Sequence, residues 1–130
     1  MSERDTLERD SRILILPMAA VTINAGRFVV LNASGYAEEG KIGADLIPVG
    51  RAEETVDNST GSAGDVMIKV KQGCFLWNND TTNPVAKTDI GKKCYLIDSE
   101  TVSIDNDSNG RSLAGMVHSV EADGVWVKTY

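Results

Sequence analysis

Residues 66–71 read Val-Met-Ile-Lys-Val-Lys, and this stretch decides the fold class. Successive side chains of a β-strand point to opposite faces. Every second residue from Val66 onward is aliphatic and shares one face, whereas Lys69 and Lys71 share the other. One face is therefore expected to pack on a core and the other to meet water, as in a half-buried β-strand.

Similar short apolar runs recur on both sides of this strand. Gly, Asn, Asp or Pro separates them at intervals of roughly 8 to 12 residues, which is typical of all-β proteins. The runs are 13–16, 27–31, 46–52, 74–77, 93–97, 101–104, 113–120 and 125–128. The sequence therefore predicts an all-β fold of about eight strands, a small β-barrel or β-sandwich whose edges are protected by sheet closure or by contacts between copies.

Turn signals indicate which runs are neighbours. Residues 32–35, Asn-Ala-Ser-Gly, predict a hairpin to a short following strand, and residues 98–100 and 123–124 predict two further tight hairpins. Pro17 ends the first run, and its missing N–H places it at a strand end or at a sheet edge.

The N-terminus has a different composition. Residues 1–11 are polar, and besides Met1 their only apolar residue is Leu7. They predict a flexible arm, followed by a single β-rich domain over residues 12–130, a length that suits one core. Because the N-terminus lacks the basic-then-apolar order of a secretory signal, the chain is expected to stay in the cytoplasm where it is made.

The charge of the chain excludes two classes of partner. Nineteen acidic and thirteen basic residues give a formal net charge of -6, and this field opposes approach to a phosphate backbone or an anionic membrane. The apolar run that ends at Pro17 is far shorter than a membrane span requires. We expect no nucleic-acid and no membrane partner.

Residues suited to catalysis are scarce. His118 is the single histidine, and it lies in a strand-like run on the face opposite Val117. Cys74 and Cys94 lack the spacing of a zinc site, and we expect two buried free thiols rather than a disulfide. No catalytic residue and no cofactor are predicted.

One loop carries part of a calcium-binding pattern. Residues 105–110, Asp-Asn-Asp-Ser-Asn-Gly, place oxygen ligands at positions 1, 3 and 5 and glycine at position 6, as in an EF-hand. Position 12 requires a bidentate Glu but is Met116, and the flanking runs are strands. A solvated loop is expected here, with weak or incidental calcium binding as the alternative, and no metal site is predicted.

The two tryptophans each have two interpretations. Tryptophan is enriched where subunit contacts carry energy, yet core packing is the more frequent role. If Trp126 packs in the core, strand alternation turns Val125 and Val127 outward, where two apolar side chains would be exposed. A contact between subunits would cover them and resolve this conflict. Trp77 is also expected in the core.

Seven short motifs follow one another from about Ile13 to the end of the chain. They are 25–30, 66–75 with Gly73 and Phe75 at its end, 89–91, 94–98, 101–102, 111–117 and 123–127. In their order and spacing the chain resembles the capsid decoration or cement proteins, a family of small phage and prophage head proteins.

This resemblance implies a compact β-barrel or β-sandwich that assembles as a homotrimer and binds the major capsid protein. The expected location is the capsid surface of the virion, after synthesis in the cytoplasm of the bacterial host. The chain departs from the shorter family members in its charged arm. In related lambda-like decoration proteins an N-terminal arm orders on contact with the capsid. By similarity, strand addition to the capsid protein is expected at Arg12, Ile13, Leu14, Ile15, Leu16, Pro17 and Met18.

Two other functions remain open. A β-domain of a tail, a baseplate or the base of a head fibre would share this composition and fold class. A small ligand-binding barrel or β-barrel hydrolase would instead require a polar pocket that converges on His118.

Overall fold

The computed structural model describes residues 2–7 and 11–129. Within these ranges the chain forms twelve β-strands and one 3₁₀ turn, Lys87–Asp89. The all-β prediction is confirmed. The strands are β1 (Ile13–Pro17), β2 (Thr22–Ile23), β3 (Phe28–Leu31), β4 (Ala37–Glu39), β5 (Ile47–Ala52), β6 (Val56–Asp57), β7 (Met67–Lys71), β8 (Cys74–Asn79), β9 (Lys93–Leu96), β10 (Thr101–Ser103), β11 (Leu113–Glu121) and β12 (Gly124–Lys128).

The C-terminal half of the chain forms a closed barrel in the order β10-β8-β12-β11-β9. The hairpin predicted at residues 98–100 joins β9 to β10, and the one predicted at residues 123–124 joins β11 to β12. β8 and β10 run parallel, while the other barrel pairs are antiparallel. Alternate side chains fill the barrel interior, among them Trp77, Cys94, Leu96, Val102, Val125 and Val127.

The N-terminal half forms a five-stranded sheet in the order β1-β7-β5-β3-β4. The sheet curls so that Met18, just after β1, bridges Ala37 at the start of β4, where the Ala19 N–H donates to the Ala37 carbonyl over 3.0 Å. The two-residue strands β2 and β6 pair separately. A second apolar cluster fills this half and comprises Met18, Ile23, Val29, Ala37, Val49, Ala52, Ile68 and Val70.

Strand β3 connects the two halves because both of its faces are buried. Phe28 and Val30 pack into the barrel cluster, whereas Val29 between them packs into the second cluster. The Phe28 ring lies with its centroid 5.1 Å from that of Trp77. An uninterrupted apolar run such as 28–31 is typical of a strand that is covered on both sides.

The alternation predicted for residues 66–71 is confirmed: Ile68 and Val70 are fully buried, and Lys69 is exposed. The core position considered for Trp126 is wrong. Val125 and Val127 point into the barrel, so Trp126 lies on its outer face and is partly exposed. The structure has twelve strands rather than about eight: the nine apolar runs and the short strand after residues 32–35 account for ten, and the other two, β2 and β6, are too short to give a sequence pattern.

The predicted flexible arm is described at residues 2–7, which are exposed and form no strand or helix, and at Ser11. Its residues 1 and 8–10 lie outside the described part of the chain.

Candidate docking strand

β1 is the end strand of the five-stranded sheet. It pairs with β7 in antiparallel register, so that Ile13 lies opposite Lys71 and Ile15 opposite Lys69. The prediction that Pro17 marks a strand end or an edge is confirmed, since Pro17 ends β1. The sheet order places β7 on one side of β1 and, among the described residues, no further strand on the other.

The hydrogen-bond register determines which main-chain groups of β1 face away from the sheet. The Gln72 N–H donates to the Arg12 carbonyl over 2.7 Å, and the Met18 N–H donates to the Val66 carbonyl over 3.0 Å. In an antiparallel pair, alternate residues bond the neighbouring strand, so the even-numbered residues face β7. The N–H and carbonyl groups of Ile13 and Ile15 therefore point outward. Pro17 falls at an outward position, where its missing N–H costs no ladder bond.

The outer face of this edge is unusually apolar for a protein surface. Ile13 is 40% exposed and Ile15 is 61% exposed, while Met67 on β7 is 49% exposed. We call these three side chains the β1 stripe. Lys69 and Lys71 are on the same face of β7, directly opposite the two isoleucines. The β1 stripe thus presents apolar side chains beside positive charge.

The structure divides the seven residues predicted for capsid contact into two groups. Arg12, Ile13 and Ile15 are exposed, and Pro17 is half-buried at the end of the strand. Leu14 and Leu16 pack against the second cluster, and Met18 is fully buried within it. The first group is accessible to a partner, whereas the second anchors β1 to the body.

Sequence reasoning did not single out Met67 as part of this surface. The signal was present, because Met67 has the same parity as Lys69 and Lys71 and so shares their outward face. An exposed methionine is also well suited to an adaptable contact, since its side chain is unbranched and polarizable.

A further cation lies one strand away from the β1 stripe. Arg51 on β5 pairs with Lys71 on β7. Its guanidinium stands 4.2 Å from the centre of the Phe75 ring and donates to Glu53 over 2.9 Å. The charge of Arg51 is thus partly compensated by Glu53. A Glu54 carboxylate oxygen also accepts the Lys69 N–H over 3.4 Å, so negative charge lies close to Lys69 as well.

The residues considered for catalysis are His118, Cys74 and Cys94, and the structure does not give them the surroundings of a nucleophile or a base. His118 is exposed on the barrel surface, opposite the buried Val117, as predicted. Both cysteines are free thiols, as predicted, but only Cys94 is buried; Cys74 is half-buried, so the predicted burial of Cys74 is wrong. Desolvation raises the pKa of the Cys94 thiol to about 12, and desolvation also raises the pKa of Cys74 although the charge of Lys128 opposes the shift. Neither thiol has the lowered pKa of a nucleophile.

The loop at residues 105–110 is held by its own side chains. Asp107, Ser108 and Asn109 adopt positive φ values of 51°, 53° and 69°. An Asp105 carboxylate oxygen accepts the Asp107 N–H over 3.2 Å, and the Asn109 amide oxygen accepts from the Asn106 side chain over 3.1 Å. Two of the three oxygen groups of the calcium-like pattern therefore accept hydrogen bonds within the loop. Among the described residues, no three His, Cys, Asp or Glu side chains form a group that could hold a metal ion.

Asp80 fixes the loop that leads out of β8. Burial by itself raises the pKa of this carboxyl, but hydrogen bonds to it outweigh burial and the net pKa is lowered. The main-chain N–H groups of Thr82 and Asn83 each donate to it over 3.1 Å. This role is structural, because the bonds close the loop on itself.

Comparison with known proteins adds no relative. No family model matches this chain, and no curated protein or solved structure matches it either. No helix within residues 2–7 and 11–129 is long and apolar enough to cross a membrane.

Proposed function

We propose that this protein is a structural virion protein of a tailed phage or prophage, which binds the outer surface of the capsid and stabilises the head lattice. It acts without catalysis and without a cofactor. It binds the major capsid protein as a homotrimer. The observation that carries the proposal is the β1 edge, which offers outward main-chain groups beside an exposed apolar stripe.

The β1 edge supports capsid binding because of its chemistry. Outward N–H and carbonyl groups at Ile13 and Ile15 can pair with an added strand, and such main-chain bonds provide affinity in strand addition. Long exposed edges carry a risk of aggregation, which proteins usually reduce with charge, proline or a covering element. Pro17 and the lysines of β7 limit the edge here, and a bound segment of the capsid protein would cover the rest.

The side chains indicate the chemistry of the bound segment. The chain as a whole carries a formal charge of -6, yet Lys69 and Lys71 lie next to the β1 stripe. An extended segment with alternating apolar and acidic residues fits this surface: its apolar side chains cover Ile13 and Ile15, and its carboxylates approach the lysines. Electrostatic complementarity of this kind mainly sets partner choice and association rate.

The test is co-sedimentation of purified protein with expanded phage heads that were assembled without it. The informative variant is Ile15→Pro, because the N–H at residue 15 points away from β7 and its loss removes no ladder bond. Ile15→Ala is the matched variant, since it keeps the outward N–H and loses only the side chain. We expect wild-type protein to sediment with heads, Ile15→Ala to bind more weakly and Ile15→Pro to bind least.

The control is Ile42→Pro paired with Ile42→Ala, at an exposed residue outside the strands whose N–H makes no hydrogen bond within the described part of the chain. Both should sediment like wild type, and circular dichroism should show unchanged β-structure in all four variants. Wild-type protein that ignores heads but binds tails would replace the proposal with the tail or baseplate function. Binding by Ile15→Pro equal to that by Ile15→Ala would refute strand addition at β1.

A further inference from the structure

The outer edge of β1 is open in the structure. Ile13 and Ile15 pair with β7, and they make no other hydrogen bond within residues 2–7 and 11–129. Their side chains are 40% and 61% exposed. The side chains of Lys69 and Lys71, which lie opposite them, form no ion pair with another described residue. The edge therefore lacks a covering strand, and its two lysine side chains lack a paired carboxylate.

The described part of the N-terminal arm has the chemistry of a strand that fits this edge. Leu7 is 91% exposed, and it is the apolar residue of an otherwise polar stretch. In an extended segment Glu3, Asp5 and Leu7 share one face. Arg4 and Thr6 share the other, and the Arg4 guanidinium donates to the Thr6 hydroxyl over 3.0 Å. One face of the arm is thus acidic with a single apolar side chain, as expected of a segment that binds beside the β1 stripe.

We propose that residues 3–7 add to the β1 edge of their own chain as an antiparallel strand, and that they cover the edge until a stronger segment displaces them. Residues 8–12 separate Leu7 from Ile13, and hairpin loops of four or five residues are common. With a loop of this length Leu7 lies opposite Ile13, and Asp5 lies opposite the next outward residue of β1. Because Leu7 is exposed, the structure shows the open form of the edge.

This register places opposite charges in one row of the sheet. Directly opposite residues of neighbouring strands share a face, so Asp5, Ile15 and Lys69 form one row. The Cα atoms of Asp5 and Lys69 are then about 10 Å apart, which is two strand spacings. The long aliphatic stem of a lysine can lie over Ile15 and carry the ammonium group towards the carboxylate. In the adjacent row Leu7 covers Ile13, so an apolar pair forms beside the charged one.

The arm fits the other face of the sheet less well, and this makes it displaceable. In the same register Thr6 lies opposite Leu14 and Arg4 lies opposite Leu16. Both leucines are half-buried at the margin of the second cluster. Polar side chains gain little from packing against them, because they lose hydration without gaining hydrogen bonds. A segment with apolar side chains at these two positions buries more apolar surface and binds β1 more tightly.

The arm comes from the same chain because the linker raises its effective concentration. A short linker holds a tethered segment at a millimolar effective concentration. A contact with a Kd of about 1 mM is therefore formed about half of the time within one chain. The arm of a second copy reaches that occupancy only at millimolar protein concentration. The regulatory role of the arm rests on the proposed function, because the arm competes with the capsid for one edge, but its docking does not.

The first test is disulfide formation between the arm and β1 without heads, in a Cys74→Ser background. Asp5→Cys with Ile15→Cys places the two thiols directly opposite, with Cα atoms about 5.5 Å apart, which suits a disulfide. Thr6→Cys with Ile15→Cys is the matched control, because residue 6 of a docked arm points to the other face, whereas an undocked arm brings residues 5 and 6 to residue 15 equally often.

We expect the Asp5→Cys, Ile15→Cys pair to oxidise several-fold faster than the control pair, and its product to keep the 14.0 kDa mass of a single chain. Equal oxidation rates for the two pairs would overturn the proposal. Disulfides found only at twice the chain mass would overturn it too, since the arm would then come from another copy.

The second test measures the effect of the docked arm on co-sedimentation with heads. Oxidised Asp5→Cys, Ile15→Cys protein should lose binding to heads, and reduction should restore it. The reduced form of the same protein is the reference, because the change at Ile15 by itself weakens the contact. Equal binding by the oxidised and reduced forms would overturn the regulatory role. Failure of the wild type to bind heads would instead refute the proposed function, and the disulfide rates would still decide whether the arm docks.

Discussion

Replacing Phe28 with alanine should destabilise both halves of the protein together. Phe28 is fully buried, lies on the strand that the two halves share, and packs its ring 5.1 Å from Trp77. Truncating a core phenylalanine to alanine costs about 3–5 kcal/mol. The loss of the aromatic pair, which contributes about 0.5–1.5 kcal/mol beyond its buried area, favours the upper part of that range. At roughly 4 °C per kcal/mol for a chain of this size, Tm should fall by about 12–20 °C.

Urea unfolding followed by tryptophan fluorescence and by circular dichroism measures this loss, because Trp77 reports on the barrel core next to the mutated site and circular dichroism reports on the strands of both halves. The midpoint should shift while the slope m stays constant, as expected when the chain unfolds as one cooperative unit. Ile90→Ala, at an exposed position, should stay within about 0.5 kcal/mol of wild type. A loss below about 1 kcal/mol for Phe28→Ala, or two separated transitions in the wild type, would show that β3 does not couple the halves.

Three further outcomes follow from single contacts. Gly115→Ala should destabilise the barrel by more than about 2 kcal/mol in urea titrations, because an added Cβ would stand 2.3 Å from the Lys128 carbonyl oxygen; wild-type stability would contradict this. Iodoacetamide at pH 8 should modify Cys74 well before Cys94 in mass spectra, because burial raises the pKa of Cys94 to about 12; equal rates would contradict this. The lowered pKa of Asp80 contributes stability that is present above about pH 4 and is lost as the pH falls through the folded-state pKa. Asp80→Asn should therefore cost more stability at pH 7 than at pH 2.5, and an equal cost at both pH values would disprove this role.

A strand could be predicted from the sequence where its alternation of apolar and polar residues matches the face that is buried. The alternation at 66–71 identified the inward side chains of β7, and the turn signals at 98–100 and 123–124 identified two barrel hairpins. Each of these signals is local, because alternation reflects one strand's two faces and a tight turn fixes its own neighbours. The closed barrel and the curled sheet depend on pairing between strands that are distant in sequence. A single sequence carries no local signal for that pairing, so the strand order was not predicted.

β1 shows why the candidate site was only partly predictable. Its sequence Ile-Leu-Ile-Leu is apolar at every position, so periodicity gives no preference between the faces. The pairing with β7 determines which face of β1 is buried: the isoleucines point outward and the leucines point inward. Pro17 was informative because a missing donor limits where a residue can lie in a sheet, whatever the tertiary contacts.

Trp126 was misplaced for a related reason. The size of tryptophan favours burial in the core. On β12, however, Trp126 and its two neighbouring valines point to opposite faces, so only one of the two sets can be buried. Burying Val125 and Val127 places two side chains inside the barrel where the alternative would place one. The outward tryptophan then shares the outer face of β12 with Lys128.

Attachment of this protein to a capsid does not require a strong contact at each β1 edge. A single strand contact with a Kd of about 1 mM supplies only about 4 kcal/mol. In the proposed homotrimer three β1 edges are tethered, and avidity can raise overall affinity by about 10²–10⁴ without any new contact. Assembly as a homotrimer would therefore turn a weak edge contact into stable attachment to a repeating lattice.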